Sequence, residues 1–297
     1  MFAHLPPYKS VTLDKLLLES EAASKVHPAV LRLGLKYAGG AVVGANARCL
    51  AMLRAFSEVI EDYATPEGKV LSRDLAAQLN TAIQFLVECR PLSVSMGNAI
   101  KFLKLQVSKV DPSTPEAEAK QTLLDKVERF IEEKIVFASR EVVANAATKV
   151  ENGDVILTYA HSAVIFDLLL HAHKAGVRFK TIVVDGRPHC EGRKLLRKLL
   201  HHGIPATYCL LNSLSYVIQE VTKTFLGASA VMSNGGPSRI ASSPLSAWSD
   251  LPYLGLLNVM YDAMPSDLVT LIVTELGIIP PTSVPVILRE YRQDPPL

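Results

Sequence analysis

The sequence has no closely spaced cysteine pair. Its four cysteines, Cys49, Cys89, Cys190 and Cys209, stand far apart with no CxxC, so neither a zinc site nor a disulfide framework is expected. It also lacks an excess of one charge. Lys and Arg number 31 against 29 Asp and Glu, a net +2. That near-balance gives no electrostatic reason to expect nucleic acid or a membrane surface as the main partner. No apolar run approaches the roughly 18 residues of a membrane span, although the mean hydropathy of +0.23 is high for a soluble chain. The start, MFAHLPPYKS, has no basic segment followed by an apolar one. No secretory signal is therefore expected, and the cytosol, with reduced thiols, is the default. Gly39, Gly40 and Gly44 form no GxGxxG after a strand, so they do not indicate a dinucleotide site.

What is present is apolar residue in quantity. The 297 residues are 49 % hydrophobic and 20 % charged, enough for one large domain or two ordinary ones with a sizeable core. An apolar-rich soluble chain often hides surface in an oligomer. The first half reads as helices. His27 to Tyr63 is rich in Ala and Leu, with Pro28 at its start and a break expected at Gly39, Gly40 and Gly44. A second helix opens at Ser72, read as its cap, with Leu75, Leu79, Ile83 and Leu86 on one face. A third covers Ser93 to Val107. Glu116 to about Val150 reads as one long helix, its stripe running Leu124, Val127, Ile131, Ile135, Ala138, Val142 and Ala146.

The pattern changes at Asn152, which divides the chain into residues 1–151 and 152–297. Short β-branched runs, Val155–Tyr159, Thr181–Asp185, Ala206–Leu211 and Ser229–Met232, alternate with helical segments Ser162–Ala175, Glu191–His202 and Leu214–Leu226. The spacing is that of βα repeats and implies a parallel, doubly wound sheet. Val284–Leu288 reads as a final strand, with Pro285 at an edge or strand start.

In such sheets ligands bind where strands turn into helices. Two turns qualify. The first is Tyr159-Ala160-His161. His161 reads as a polar residue at a helix start, and one histidine without a placed partner makes no proton relay. The second is Val184-Asp-Gly-Arg-Pro-His-Cys-Glu-Gly-Arg193. Helix amides there, helped by Arg187 or Arg193, could hold a phosphate; alternatively, Asp185 and Arg187 only secure the turn. His189-Cys190 lacks further ligands at metal spacing. His171 and His173 point to different helix faces, and His201-His202 suits a helix end. Arg48 and Cys49 read as helix-packing residues, and Arg193 to Lys198 as a solvated basic face.

The phrases HPAVLRLGLKYAGGAVVGANARCLAMLRAFSEVIEDY, LSRDLAAQLN, CRPLSVSMGNAIKFL, NGDVILTY and LGASAVMSNG follow in order. Together they resemble the delta regulatory subunits of eukaryotic translation initiation factor 2B, a guanine-nucleotide exchange factor. The resemblance resumes near Trp248. It implies an N-terminal helical domain followed by a Rossmann-like parallel sheet, α/β in class. Gly236 to Ala247 stands where the family has about fifty more residues, more than one βαβ unit of roughly 30 residues, so part of the sheet is expected to be missing.

The same fold carries isomerases of ribose-bisphosphate and methylthioribose-phosphate. The resemblance puts Ala160 in place of their cysteine and Gly236 in place of their aspartate. Neither can move a proton, which implies no catalytic residue, no cofactor and no metal. What it leaves is a residual anion or sugar-phosphate pocket of Asp185, Arg187, Arg193, His161 and Asn234. The implied role is a regulatory, non-catalytic subunit in the cytosol. It would assemble with the alpha, beta, gamma and epsilon subunits, engage initiation factor 2 through its alpha subunit, and take part in the integrated stress response. A sugar-phosphate isomerase using a displaced site, or a shortened chain that cannot assemble, are the alternatives.

Overall fold

Helices α1 (Pro28–Ala38) and α2 (Ala45–Asp62) take up the first Ala- and Leu-rich stretch. Pro28 sits in the first turn of α1, and His27 caps it by accepting the Ala29 amide at Nδ1, 3.2 Å. The expected break falls between them, where Gly40 and Gly44 adopt φ of 66° and 98°, values that favour glycine. Next come α3 (Leu71–Cys89), α4 (Val94–Ser108) and α5 (Glu116–Ile131). Ser93 caps α4 by accepting the Met96 amide. Ser72 is not a cap: α3 starts one residue earlier, and Val70 precedes it without a side-chain bond. In the computed structural model residues 26–187, 190–232, 237–239 and 262–291 are described.

The described chain divides into two units at Phe137, earlier than the composition change at Asn152. The long helix is not uniform there. After α5 the backbone widens into a π-helical stretch, Glu132–Phe137, none of it buried, and returns to α-helix as α6 (Ala138–Ala147). The buried stripe runs Ala119, Leu123, Val127 and Ile131, then resumes at Val143 and Ala146 rather than at Val142. The extra residue per turn in the π stretch re-phases the stripe.

In the helical unit α1 to α5 enclose one core, with Val30, Met52, Leu53, Phe56, Leu79 and Leu103 at most 1 % exposed. Arg48 lies in it, also 1 % exposed. Its Nη2 donates to the Pro91 and Arg90 carbonyls, and its guanidinium lies 5.1 Å from the Tyr37 ring centroid. Tyr37 in turn donates to the Arg48 carbonyl. A buried cation is costly unless hydrogen-bonded, and these carbonyls and the ring lower that cost. Arg48 and Cys49 are packing residues, as their sequence context suggests.

The second unit holds a parallel sheet in the order β3-β2-β1-β4. Its strands are β1 (Val155–Tyr159), β2 (Lys180–Asp185), β3 (Ala206–Leu210) and β4 (Lys223–Thr224). The register pairs Ile156 with Thr181, Thr158 with Val183 and Val183 with Tyr208. Alternation puts Ile156 and Val183 on one face. There α7 (Ala163–Lys174) and α8 (Gly192–His201) bury Ile165, Leu168, Leu195 and Leu199 against them. Leu157, Ile182 and Val184 point to the other face, covered by Leu214, Val217 and Val221.

Three expectations in this unit need correction. The helix expected over Leu214–Leu226 is one short α-helical turn, α9 (Leu214–Val217), between two 3₁₀ turns. Its second half is drawn to the open edge of β1: the Thr222 amide donates to the Val155 carbonyl and the Phe225 amide to that of Leu157. Asp154 clamps this edge, accepting from the Glu151 amide and the Thr222 hydroxyl, each at 2.7 Å, and from Lys223 Nζ at 3.0 Å. So β4 forms there, and the run Ser229–Met232 does not join the parallel sheet. Its β5 (Ala230–Val231) pairs antiparallel with β6 (Pro237–Arg239), itself paired with β7 (Asp262–Ala263). Finally, β8 (Ile272–Thr274) and β9 (Gly277–Ile279) form a hairpin, and Val284–Tyr291 is helix α10, not a strand. Pro285 lies in its first turn, where no amide hydrogen is needed.

Candidate functional site

The carboxyl ends of β1, β2 and β3 bring the two singled-out turns to one edge of the parallel sheet. At the end of β1 the backbone turns sharply. Ala160 takes a left-handed φ of 54°, while its amide stays bonded to the Val184 carbonyl at 2.8 Å. This conformation is costly for a residue with a Cβ, and the side chain held there is a methyl group. His161 follows, its Nε2 buried without a hydrogen-bond partner among the described residues. Burial, with Lys198 and Lys194 nearby, lowers its pKa, which favours the neutral ring.

At the end of β2, Asp185 is 1 % exposed, with a donor on each carboxylate oxygen. One oxygen accepts the Gly186 amide at 2.9 Å and the other the Tyr208 hydroxyl at 3.0 Å. Tyr208 also lies beside the Arg193 guanidinium and holds the arginine pKa up. Burial raises the Tyr208 pKa, opposed by Arg193 and reinforced by Asp185. Asp185, Tyr208 and Arg193 thus lie together across β2, β3 and α8, with Tyr208 hydrogen-bonded to Asp185.

Two glycines of the Asp-Gly-Arg and Glu-Gly-Arg phrases permit this closeness. A Cβ on Gly192 would stand 2.8 Å from Asp185 Oδ2, and one on Gly186 would stand 2.5 Å from the Tyr159 hydroxyl. The Asp185 carboxylate therefore packs on Gly192, at the amino end of α8, where a bound anion would gain most from the helix dipole. An internal carboxylate in that place repels an incoming phosphate.

Of the predicted pocket, the structure brings Asp185 and Arg193 together through Tyr208. His161 lies nearer Lys194 and Lys198. Arg187 is exposed and makes no hydrogen bond or ion pair among the described residues. His189, Asn234, Gly236 and the shortened stretch Gly236–Ala247 lie outside the described residues, apart from the backbone of β6. Tyr208 was not singled out from sequence. It is one aromatic in a short strand, and its meeting with Asp185 depends on the β2–β3 register.

On the other face of the sheet, an open cleft of about 320 Å³ lies among Leu157, Tyr159, Val184, Leu214, Ile218 and Leu226. None of its lining residues carries a charge at neutral pH, so it suits apolar contact rather than a sugar phosphate. No helix among the described residues is long and apolar enough to cross a membrane.

Comparison with known proteins places this architecture. The model of the initiation factor 2 subunit family matches residues 41–246. The chain is 39 % identical to the eIF2B delta subunit of Schizosaccharomyces pombe, over 99 % of this chain and 73 % of that protein. It is 36 % identical to the delta subunit of Dictyostelium discoideum, over 99 % of this chain and 56 % of the relative. The first alignment spans 349 positions against 297 residues here, so at least 349 − 297 = 52 positions have no counterpart in this chain. The ribose 1,5-bisphosphate isomerase of Pyrococcus furiosus is more distant, at 24 % over 80 % of the chain and 87 % of the enzyme. Among solved structures, eIF2B delta of Chaetomium thermophilum matches with a TM-score of 0.73 and 35 % identity, over 84 % of this chain and 98 % of that one. A chain of the tetrameric eIF2B-beta2-delta2 complex from C. thermophilum matches at 0.72 and 38 %, over 83 % and 76 %. The chain belongs to the initiation factor 2 subunit family, within its group of eIF2B delta subunits.

Proposed function

We propose that this chain serves translation initiation as a regulatory, non-catalytic delta-type subunit of the eIF2B exchange factor. The carrying observation is the 39 % identity to a delta subunit across 99 % of the chain. The match to a chain of a beta2-delta2 tetramer supports assembly with a beta subunit. Further reach belongs to the same reading: assembly with alpha, gamma and epsilon subunits in the cytosol, contact with the alpha subunit of initiation factor 2, and response to its phosphorylation.

The crevice geometry favours a scaffold over an isomerase. Acid–base isomerisation needs a titratable group at the reacting carbons. The β1 turn offers the Ala160 methyl, and the Asp185 carboxylate is taken up by an amide and a phenol. Arg193, beside Tyr208, and exposed Arg187 remain as the residual anion-binding groups; His161 and Asn234 belong to the same expectation.

Co-expression of the tagged chain with beta, gamma, epsilon and alpha subunits, followed by native mass measurement, tests the assignment. Recovery in a stoichiometric complex is expected. Recovery as a lone soluble chain that turns over ribose 1,5-bisphosphate would replace it with the isomerase reading. Recovery only in aggregates would mean that the chain lacks segments needed for assembly.

A further inference from the structure

Helix α8 breaks several electrostatic rules at once. Its ten residues, GRKLLRKLLH, contain Arg193, Lys194, Arg197, Lys198 and His201 and no carboxylate. All five are exposed. Arg193–Arg197 and Lys194–Lys198 are like-charge pairs at i, i+4, which destabilise a helix. Arg193 and Lys194 also occupy the first turn, where the helix dipole disfavours cations; the carboxyls at this helix start are Glu191 at the N-cap and buried Asp185, and neither forms an ion pair with them. No ion pair among the described residues involves any of them. Asp167 on α7, the carboxyl that senses Lys198, is exposed and forms no ion pair with it. Leu200 stands 55 % exposed on the Arg197 side of the helix. The inner face is conventional: Leu195 and Leu199 are fully buried. The misfit is thus confined to the solvent side, where none of the five cations meets a carboxylate in an ion pair among the described residues, and departures from local consistency concentrate at functional surfaces.

We propose that the exposed face of α8 is a docking surface for an acidic protein segment that carries an apolar side chain. Such a segment removes the repulsion along the helix and covers Leu200. The cationic strip is short, about 15 Å at 1.5 Å per residue, which fits a few turns of peptide. A single-stranded nucleic acid would need free aromatic faces for its bases. The rings at the patch are already engaged: Phe166 lies under Lys198 at 5.0 Å and near His202 at 5.7 Å, and His201 meets His202 edge-on. The surface adjoins the crevice through Arg193, Lys194 and Lys198, and the inference does not depend on the subunit assignment.

The test is fluorescence anisotropy with the full chain and two probes of equal length, a glutamate-rich peptide bearing leucines and a uridine oligonucleotide, at low and high salt. The wild-type chain is expected to bind the peptide more tightly, with affinity falling as salt rises. The triple variant Lys194→Gln, Arg197→Gln, Lys198→Gln should weaken peptide binding about tenfold or more while its melting temperature holds or rises, because repulsion is relieved. Leu200→Ser should weaken the peptide and leave the oligonucleotide unchanged. Lys101→Gln with Lys104→Gln, on exposed positions of α4, should change neither. Undiminished peptide binding in the triple variant overturns the proposal. So does absence of wild-type peptide binding, or an oligonucleotide that binds more tightly than the peptide and is lost with the same substitutions.

Discussion

Removing the Asp154 carboxylate should release the edge strand β4 from the sheet. The carboxylate is 8 % exposed and holds three donors: the Glu151 amide, the Thr222 hydroxyl and the Lys223 ammonium. Hydrogen bonds to a charged group contribute roughly 1.5–3 kcal/mol each, and donors left unpaired in a buried place add their desolvation cost. Lys223 can turn to Glu151 at 3.2 Å or to water, so its loss counts for little. Asp154→Ala should therefore destabilise the β4 attachment by about 3 kcal/mol.

The assay is native-state hydrogen exchange of the Thr222 and Phe225 amides, which bond to β1. At 1.4 kcal/mol per decade the variant should speed their exchange about a hundredfold. The pH dependence provides a second arm. Burial pushes the Asp154 pKa up, but the Glu151, Thr222 and Lys223 hydrogen bonds together outweigh it and hold the carboxyl below its ordinary value. A group depressed in the folded state contributes stability that is complete above its unfolded pKa and lost as pH falls through the folded one. Protection of these two amides, corrected for intrinsic exchange, should be flat near neutrality and fall in acid, below the usual carboxylate range. Acceleration under about fivefold in the variant, or wild-type protection indifferent to acid, would refute the argument that Asp154 clamps this edge.

Other outcomes follow from the same geometry. Gly192→Ala places a methyl 2.8 Å from Asp185 Oδ2 and should cost about 1–3 kcal/mol in urea unfolding. A neutral result would mean that the α8 start shifts freely. Tyr208→Phe deletes the hydroxyl that donates to buried Asp185 and should cost about 1–3 kcal/mol by the same measurement. Arg48→Ala strips the donors from the Pro91 and Arg90 carbonyls and leaves a cavity beside Tyr37. It should destabilise the helical unit by about 3–5 kcal/mol, read by thermal melting in circular dichroism, and Arg48→Lys should restore little because one ammonium cannot reproduce the fork and the ring contact.

The strongly periodic elements were legible in the sequence. Val155–Tyr159 is a strand with the predicted bounds, because five consecutive residues of high β propensity between a Gly-Asp turn and a helix leave little choice. The break after Ala38 was readable from glycine chemistry, whereas the serine that reads as a cap, Ser72, lies inside its helix and the serine that does cap, Ser93, reads only as a helix start. The cluster Val284-Pro-Val-Ile-Leu288 misled, since β-branched composition alone does not separate a strand from a short helix that opens on proline. Leu214–Leu226 misled for another reason: its helical pattern yields where Thr222 and Lys223 meet the Asp154 carboxylate. The likeness to delta subunits was carried by phrases rather than by periodicity.

By itself the sequence determined the helical first half, the alternating βα second half and the family, because backbone propensity, apolar spacing and long verbatim phrases are local properties. It also placed the two turns at strand ends. Tertiary structure decided what those turns contain. The Tyr208 hydroxyl reaches Asp185 because the parallel register sets Val183 against Tyr208; Gly192 lets the carboxylate approach the helix end, and residues far apart in the chain, Asp154 and Lys223, close the sheet edge. These contacts depend on which strands become neighbours. That choice is made by burial of both sheet faces over the whole unit and cannot be read from any window of the chain.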